Sequence, residues 1–341
     1  MTVQDLFRKR KFIFLIFFFL LFFQLAYSFI FPASGYTGTG HGWLSLQDLV
    51  NHQQSPLDSS EVSIIDKVSP FLSRYTMNAD GPVYIVLAKN FPQYYFENPI
   101  YLSRPLYSFL IAVVAFFPSL FFDSYATFFV SAIFLNFLLA FGVVIMLYLL
   151  IEKIISSRVA FLSSFLFLSS PLVHIGIVQP VAEIYGSFMI VASLCLLYNY
   201  IKHPSRLKLI VFSLIIGIFL LGKLFAVIPI FILILAIYFK RHKEGFLFLT
   251  IHLIPLAVWY FWVTQVFQLT FFENAIENFG AVTWLLSIFS GPWYKTARAL
   301  LDVFPKFITA AVYGFLLVPL VFASIGFKKL ILAKKEIIYF S

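Results

Sequence analysis

The sequence predicts an all-α protein: a polytopic bundle of about eight membrane-spanning helices, with one further juxtamembrane or re-entrant helix. Hydrophobic residues make up 61% of the chain and charged residues only 11%, with a mean hydropathy of +0.95. A soluble domain could not bury that much apolar surface, so lipid is the expected solvent. The apolar runs are about 20 residues long, which favours helices over the short alternating strands of a barrel.

The first apolar run, residues 12–31, predicts the first spanning helix. It follows Arg8, Lys9, Arg10 and Lys11, which should hold the N-terminus in the cytoplasm. A cleaved signal peptide is the alternative. In either case the following loop, 32–124, is expected outside the cytoplasm.

The rest of the chain divides into a membrane core at 125–266, an outer loop at 267–302 and a last spanning helix at 303–326. Within the core, apolar runs predict helices at 125–151, 159–176, 184–201, 208–222, 224–239 and 246–266.

The run at 105–122 decides the topology, because about 18 residues is borderline for crossing a bilayer. Four basic clusters follow it: Lys153 with Arg158; Lys202, Arg206 and Lys208; Lys240, Arg241 and Lys243; and Lys328, Lys329, Lys334 and Lys335. With the N-terminal quartet they hold 16 of the 24 Lys and Arg residues. All five share one side only if 105–122 does not cross, so the positive-inside bias favours a juxtamembrane or re-entrant helix.

The net charge of +9 does not indicate nucleic-acid binding, because the basic residues form short clusters between apolar runs and no basic stripe. The one cysteine, Cys195, lies in an apolar run. The sequence therefore predicts neither a disulfide framework nor a cysteine-based metal site.

Two residues of the first outer loop are candidates for chemistry. Asp80 precedes Gly81-Pro82, which predicts a turn that presents the carboxylate. A solvated turn or a helix cap is the structural alternative. Arg104 precedes Pro105-Leu-Tyr107, and its alternative role is that of an interfacial anchor.

The second outer loop and the end of the run at 208–222 add three polar candidates. Glu183, in Pro180-Val-Ala-Glu183, should lie near the bilayer edge, either as a functional carboxylate or as a favourable charge at a helix start. His174 is expected mainly to pack within the structure. Lys223 is the isolated base between two apolar runs, either reaching the interface or meeting an anion.

The order of these motifs resembles the membrane glycosyltransferases of the GT-C fold, the class of the protein O-mannosyltransferases and the aminoarabinose transferases of lipid A. The likeness covers residues 1 to about 240. It rests on the acidic first outer loop, Arg104-Pro-Leu-Tyr107, Ser170-Pro, Pro180-Val-Ala-Glu183 and Gly217-Ile-Phe-Leu-Leu-Gly-Lys223.

The resemblance implies roles for these positions. Asp80 corresponds to the first-loop catalytic carboxylate and Glu183 to the second-loop acidic residue, while Arg104 and Lys223 correspond to contacts of the donor phosphate. His174, Tyr84 and Tyr107 are accessory candidates. The implied donor is a sugar on a polyprenyl-phosphate carrier, the acceptor an envelope lipid, glycan or protein, and the location a bacterial inner membrane. A divalent metal is used by some relatives and not by others.

Several alternatives remain open from the sequence. Relatives carry a larger C-terminal helical set and a soluble domain, so a shortened or inactive form is one expectation. The outer loop at 267–302 either completes an acceptor cleft or packs at the interface. A transporter or flippase of lipid-linked glycans would show internal repeats and charges at mid-membrane depth, whereas a scaffold would tolerate loss of Asp80 and Glu183.

Overall fold

The computed structural model describes residues 3–30, 44–45, 76–77, 80–91, 105–123, 125–180, 182–222, 228–229, 232–233 and 241–267. Apart from one pair of two-residue antiparallel strands, β1 (Leu44–Ser45) and β2 (Thr76–Met77), the elements of these residues are helices. They are α1 (Val3–Ile30), α2 (Asp80–Lys89), α3 (Pro105–Ser119), α4 (Tyr125–Ile154), α5 (Ser157–Leu168), α6 (Pro171–Gly176), α7 (Glu183–Lys202), α8 (Arg206–Leu220) and α9 (His242–Phe267). The all-α prediction is confirmed.

Three helices of the described residues are long and apolar enough to cross a membrane: α4, α7 and α9. Crossing the hydrocarbon core takes about 20 helical residues, and each of the three has 20 or more. The predicted helices at 224–239 and 303–326, and the outer loop at 267–302, lie wholly or largely outside the described residues.

The run at 159–176 does not form the single helix that the sequence predicts. It is divided between α5 and α6, because Pro171 cannot donate a backbone hydrogen bond to continue the helix. Two serines hold the break: the Ser169 hydroxyl donates to the Phe165 carbonyl and the Ser170 hydroxyl to the Phe167 carbonyl, at 3.0 and 2.7 Å. At 12 residues, α5 is about 18 Å long, shorter than a hydrocarbon core.

The core is built around α4, which packs against α1, α2, α3, α5 and α7. Farther along the chain, α8 packs against α7 and α9. The contact between α8 and α9 is close: a Cβ at Gly217 would lie 2.2 Å from the His252 carbonyl oxygen. Such small residues let membrane helices approach backbone to backbone.

One end of the bundle collects charged groups, and we call it the basic end. Arg10 of α1 and Glu152 of α4 form an ion pair there, with Nε and Oε2 2.7 Å apart. The N-terminal basic quartet and the cluster of Lys153 and Arg158 therefore lie at the same end of α4.

A second polar contact joins the basic cluster around Lys202 to the basic cluster around Arg241. The Tyr200 hydroxyl, near the end of α7, donates a 2.6 Å hydrogen bond to Glu244 in the first turn of α9. Arg241 pairs with the same carboxylate at 3.2 Å. The clusters around Lys202 and around Arg241 consequently lie beside each other.

Candidate functional site

The two candidate carboxylates occupy equivalent positions in the structure, since each is the first residue of a helix. Asp80 begins α2 and Glu183 begins α7. The prediction of a chain turn at Gly81-Pro82 is wrong, because both residues belong to the first helical turn of α2. A proline is accepted there because backbone N–H groups of a first turn have no partner within the helix, and an acidic residue is favoured there by the helix dipole.

Three tyrosines bring these two helix starts together. Tyr84 lies one helical turn after Asp80 on the same face of α2, and Tyr185 lies two residues after Glu183. Tyr107 of α3 stands between them, with ring centroids 5.0 Å from Tyr84 and 6.1 Å from Tyr185. All three are buried. We call this group the tyrosine cluster.

Asn136 of α4 connects the tyrosine cluster to the second outer loop. Its Oδ1 accepts a 2.9 Å hydrogen bond from the Tyr107 hydroxyl. Its Nδ2 donates to the backbone carbonyls of Gly176 and Gln179, at 2.9 and 2.6 Å. The residue is 0% exposed, so these bonds replace water that a buried amide has lost.

Glu183 lies at the exposed edge of this arrangement and acts on it electrostatically. Burial raises the pKa of the Tyr107 hydroxyl well above its usual value, and the bond to Asn136 lowers it in part. The charges of Tyr84 and Glu183 raise this pKa further. The Tyr107 hydroxyl therefore stays protonated and donates its hydrogen bond to Asn136.

The start of α3 is joined to the end of α8. The Leu106 amide donates a 3.2 Å hydrogen bond to the Leu221 carbonyl. Next to it, Gly222 packs against the Tyr185 ring so closely that an added Cβ would lie 2.3 Å from a ring carbon. Arg104 and Lys223, the candidate phosphate contacts, are both two residues from this hydrogen bond in the sequence and lie outside the described residues.

His174 lies in α6 and is partly buried, and burial lowers the pKa of its imidazole. Its backbone amide donates to the Ser170 carbonyl. The packing role expected of its imidazole stays a prediction. Within the described ranges, no group of three or more His, Cys, Asp or Glu residues could hold a metal ion.

The arrangement offers chemically distinct groups in a small space. The helix starts at Asp80 and Glu183 lie one turn and two residues, respectively, from buried tyrosines of the cluster, and Glu183 is exposed. Carboxylates accept protons from hydroxyl groups, whereas the Tyr107 and Tyr185 hydroxyls already donate to Asn136 and to the Phe219 carbonyl. Such a set suits transfer of a group to a hydroxyl.

Sequence reasoning missed Asn136 and Tyr185, which hold the site together. The available signal for Asn136 was its place inside an uninterrupted apolar run. A polar side chain at such a position is costly unless it finds a partner, so it indicates either a structural contact or a site. Tyr185 gave no signal, because tyrosine is common near membrane interfaces.

No family model matches the chain. Neither the curated proteins nor the solved structures contain a match to it.

Proposed function

We propose that this protein is a membrane glycosyltransferase of the GT-C type. It would transfer a sugar from a polyprenyl-phosphate carrier to an envelope acceptor on the non-cytoplasmic side of a bacterial inner membrane. The proposal includes a bundle of about eight spanning helices, of which α4, α7 and α9 are candidates by length and composition.

The convergence of α2, α3 and α7 on the tyrosine cluster is the observation that carries the proposal. Tyr107 contacts Tyr84, one turn from Asp80, and Tyr185, two residues from Glu183. The two carboxylate residues that the family resemblance assigns to catalysis are distant in sequence, yet Tyr107 contacts both of the helices that they begin.

In the proposed reaction, an acceptor hydroxyl oxygen bonds to the anomeric carbon of the sugar. The bond between that carbon and the phosphate oxygen breaks, and the phosphate leaves on its polyprenyl carrier. Asp80 takes the hydroxyl proton, and cationic Arg104 and Lys223 balance the growing phosphate charge. Support for their role is the Leu106 to Leu221 hydrogen bond, which joins the two chain segments that carry them.

The basic end supports the proposed orientation. The contact between Arg10 and Glu152 unites the N-terminal quartet with the cluster that follows α4. Asn136 lies about 24 Å from Glu152 and about 17 Å from Tyr125 along α4, so the tyrosine cluster is in the half of this helix away from the basic end. With the basic clusters in the cytoplasm, the tyrosine cluster faces the other side, where polyprenyl-linked sugars would arrive laterally through the membrane.

The charge distribution favours transfer over transport. In α4, α7 and α9, every Asp, Glu, Lys and Arg lies within the first or last three residues of the helix: Glu152, Lys153, Glu183, Lys202, Lys243 and Glu244. A transporter of charged carriers is expected to place Asp, Glu, Lys or Arg near the midplane. The ionisable side chain near the middle of α9 is the buried His252.

A transfer assay tests the proposal. Purified full-length protein in lipid nanodiscs receives polyprenyl phosphates carrying radiolabelled hexoses or pentoses, together with envelope lipid and protein fractions as acceptors. The expected result is movement of label to an acceptor and release of free polyprenyl phosphate. No release from any donor would contradict the proposal, and carrier movement across the membrane without bond cleavage would favour a flippase.

Asp80→Asn tests the base directly and should reduce transfer by on the order of a hundredfold or more. Asp123→Asn is the matched control, because Asp123 is an exposed aspartate after α3 with no assigned role. Equal activity of the two variants would remove Asp80 from the mechanism.

A further inference from the structure

Asn136 is the described residue whose side chain joins the most separate parts of the site. Its amide contacts α3 through Tyr107 and the second outer loop through two carbonyls. Backbone carbonyls only accept hydrogen bonds, so the Nδ2 group must face Gly176 and Gln179. The Oδ1 atom then has to face the Tyr107 hydroxyl, which fixes the orientation of the amide and of the phenol proton together.

The Gly176 and Gln179 carbonyls, which accept hydrogen bonds from Asn136, connect the fixed orientation of this amide to the position of Glu183. Gly176 ends α6 and lies against Ile184, where an added Cβ would come within 2.6 Å of Ile184 Cγ1. Ile184 follows Glu183 in the first turn of α7. Holding the 176–179 segment therefore holds the helix start on which Glu183 lies.

Tyr107 connects the fixed amide of Asn136 to the helix that begins at Asp80. Its ring contacts Tyr84 edge-on, at 89° between ring planes, and Tyr84 is one turn from Asp80. The hydroxyl bond to Asn136 prevents Tyr107 from changing rotamer without losing a buried hydrogen bond. One side chain of α4 thus determines how the starts of α2 and α7 stand relative to each other.

We infer that Asn136 is a positioning residue, which sets the distance between the helix starts that carry Asp80 and Glu183. That this distance matters for catalysis rests on the proposed function. That Asn136 fixes the distance does not depend on any activity. No other type of side chain serves equally. Aspartate at neutral pH has no donor for the two carbonyls, leucine leaves them and the Tyr107 hydroxyl without partners, and glutamine is one methylene too long for a packed site.

Spin-label distances test the geometric part. Cys195→Ala removes the single native thiol. Nitroxides then go on cysteines at 183 and at 80, the two helix starts whose separation Asn136 is inferred to set. The parent protein should give one narrow distance, and Asn136→Ala should give a broadened or shifted distribution. An unchanged distribution would overturn the inference. Where Asn136→Ala does not fold, Asn136→Ser, which cannot reach both carbonyls, is measured to the same criterion.

Two controls separate positioning from general loss of packing. Tyr107→Phe keeps both amide-to-carbonyl bonds and loses only the bond from Asn136 to α3, so it should broaden the distance between the two labels less than Asn136→Ala does. Ser164→Ala removes a buried hydrogen bond to the Val144 carbonyl elsewhere on α4 and should leave the distribution unchanged. Broadening in the Ser164 variant equal to that in Asn136→Ala would contradict a specific role.

Kinetics test the catalytic part on unlabelled protein. Misplaced reacting groups lower kcat and leave donor binding intact, so Asn136→Ala should lower kcat by on the order of a hundredfold with KM little changed. A raised KM with unchanged kcat would overturn the positioning role. If the parent protein transfers no sugar, the proposed function fails, while the spin-label distances still decide whether Asn136 fixes the two helix starts.

Discussion

The two ends of this helix bundle satisfy their polar groups in opposite ways. The basic end uses ion pairs between side chains at helix ends, such as Arg10 with Glu152 and the partly exposed pair Arg241 with Glu244. The tyrosine cluster uses buried neutral hydrogen bonds to backbone carbonyls, centred on Asn136. The exposed pair of Arg241 with Glu244 should tolerate change and contribute little stability, whereas the buried neutral bonds of Asn136 require one geometry. The difference separates an end that orients the protein from an end that can hold a reactive site.

The largest expected effect contrasts a carboxylate from each end. Glu183→Gln should lower transfer by on the order of a hundredfold, because the amide keeps the size of the side chain but removes the negative charge of the second carboxylate of the proposed site. Glu244→Gln should change transfer less than about twofold, because its amide still accepts the Tyr200 hydrogen bond and the lost ion pair is exposed. Radiolabel transfer by both variants under one condition makes the comparison. Comparable losses would remove the distinction between the two ends.

The next effect concerns packing and is a change in stability. Gly222→Ala should destabilise the protein by about 1–3 kcal/mol, since its Cβ would overlap the Tyr185 ring, which is held by a 2.9 Å bond to the Phe219 carbonyl. Gly142→Ala, in the middle of α4, meets only the edge of Phe188 at 3.2 Å and gains helix propensity. It should be neutral or stabilising. Thermal unfolding in detergent measures both, and a neutral Gly222 variant would show that this end is not tightly packed.

The smallest effect compares two tyrosine hydroxyls. Tyr107→Phe should cost about 1–2 kcal/mol, because it leaves the buried Asn136 Oδ1 without the 2.9 Å bond that it accepts from this hydroxyl. Tyr148→Phe loses a longer, 3.4 Å bond to Glu152, which keeps its ion pair with Arg10. That loss should be below about 0.5 kcal/mol. Chemical denaturation measures the free energy of unfolding of both variants. A larger loss for Tyr148→Phe than for Tyr107→Phe would contradict the view that the tyrosine cluster is the more tightly constrained end.

Much of the helical order could be predicted from the sequence, because apolar length and charge placement determine it. The helices at α1, α3, α4, α7, α8 and α9 fall on the apolar runs, and Arg10 meets Glu152 as expected if 105–122 does not separate their ends. The division of 159–176 was not predicted, although Ser169, Ser170 and Pro171 together give the physical reason for it. Hydropathy alone does not reveal this break, because it does not reflect the missing backbone donor of proline.

The site could be predicted only in part. Residue type and the family resemblance single out Asp80 and Glu183. In the structure each of them begins a helix that carries a tyrosine of the tyrosine cluster. Their connection through Asn136 depends on which faces of α3, α4 and α7 meet, and no spacing within a single helix encodes that. The need for glycine at position 222 likewise arises from close packing against the Tyr185 ring, which is distant in sequence.

Cysteine accessibility tests most directly the claim that the two carboxylate helix starts face one compartment opposite the basic end. Single cysteines at 80, 183 and 155 are placed in the Cys195→Ala protein, position 155 being exposed and close to Glu152 in sequence. A membrane-impermeant maleimide added outside intact cells should label positions 80 and 183, and should label position 155 only after the membrane is opened. Labelling of positions 80 and 183 from opposite sides would contradict the account.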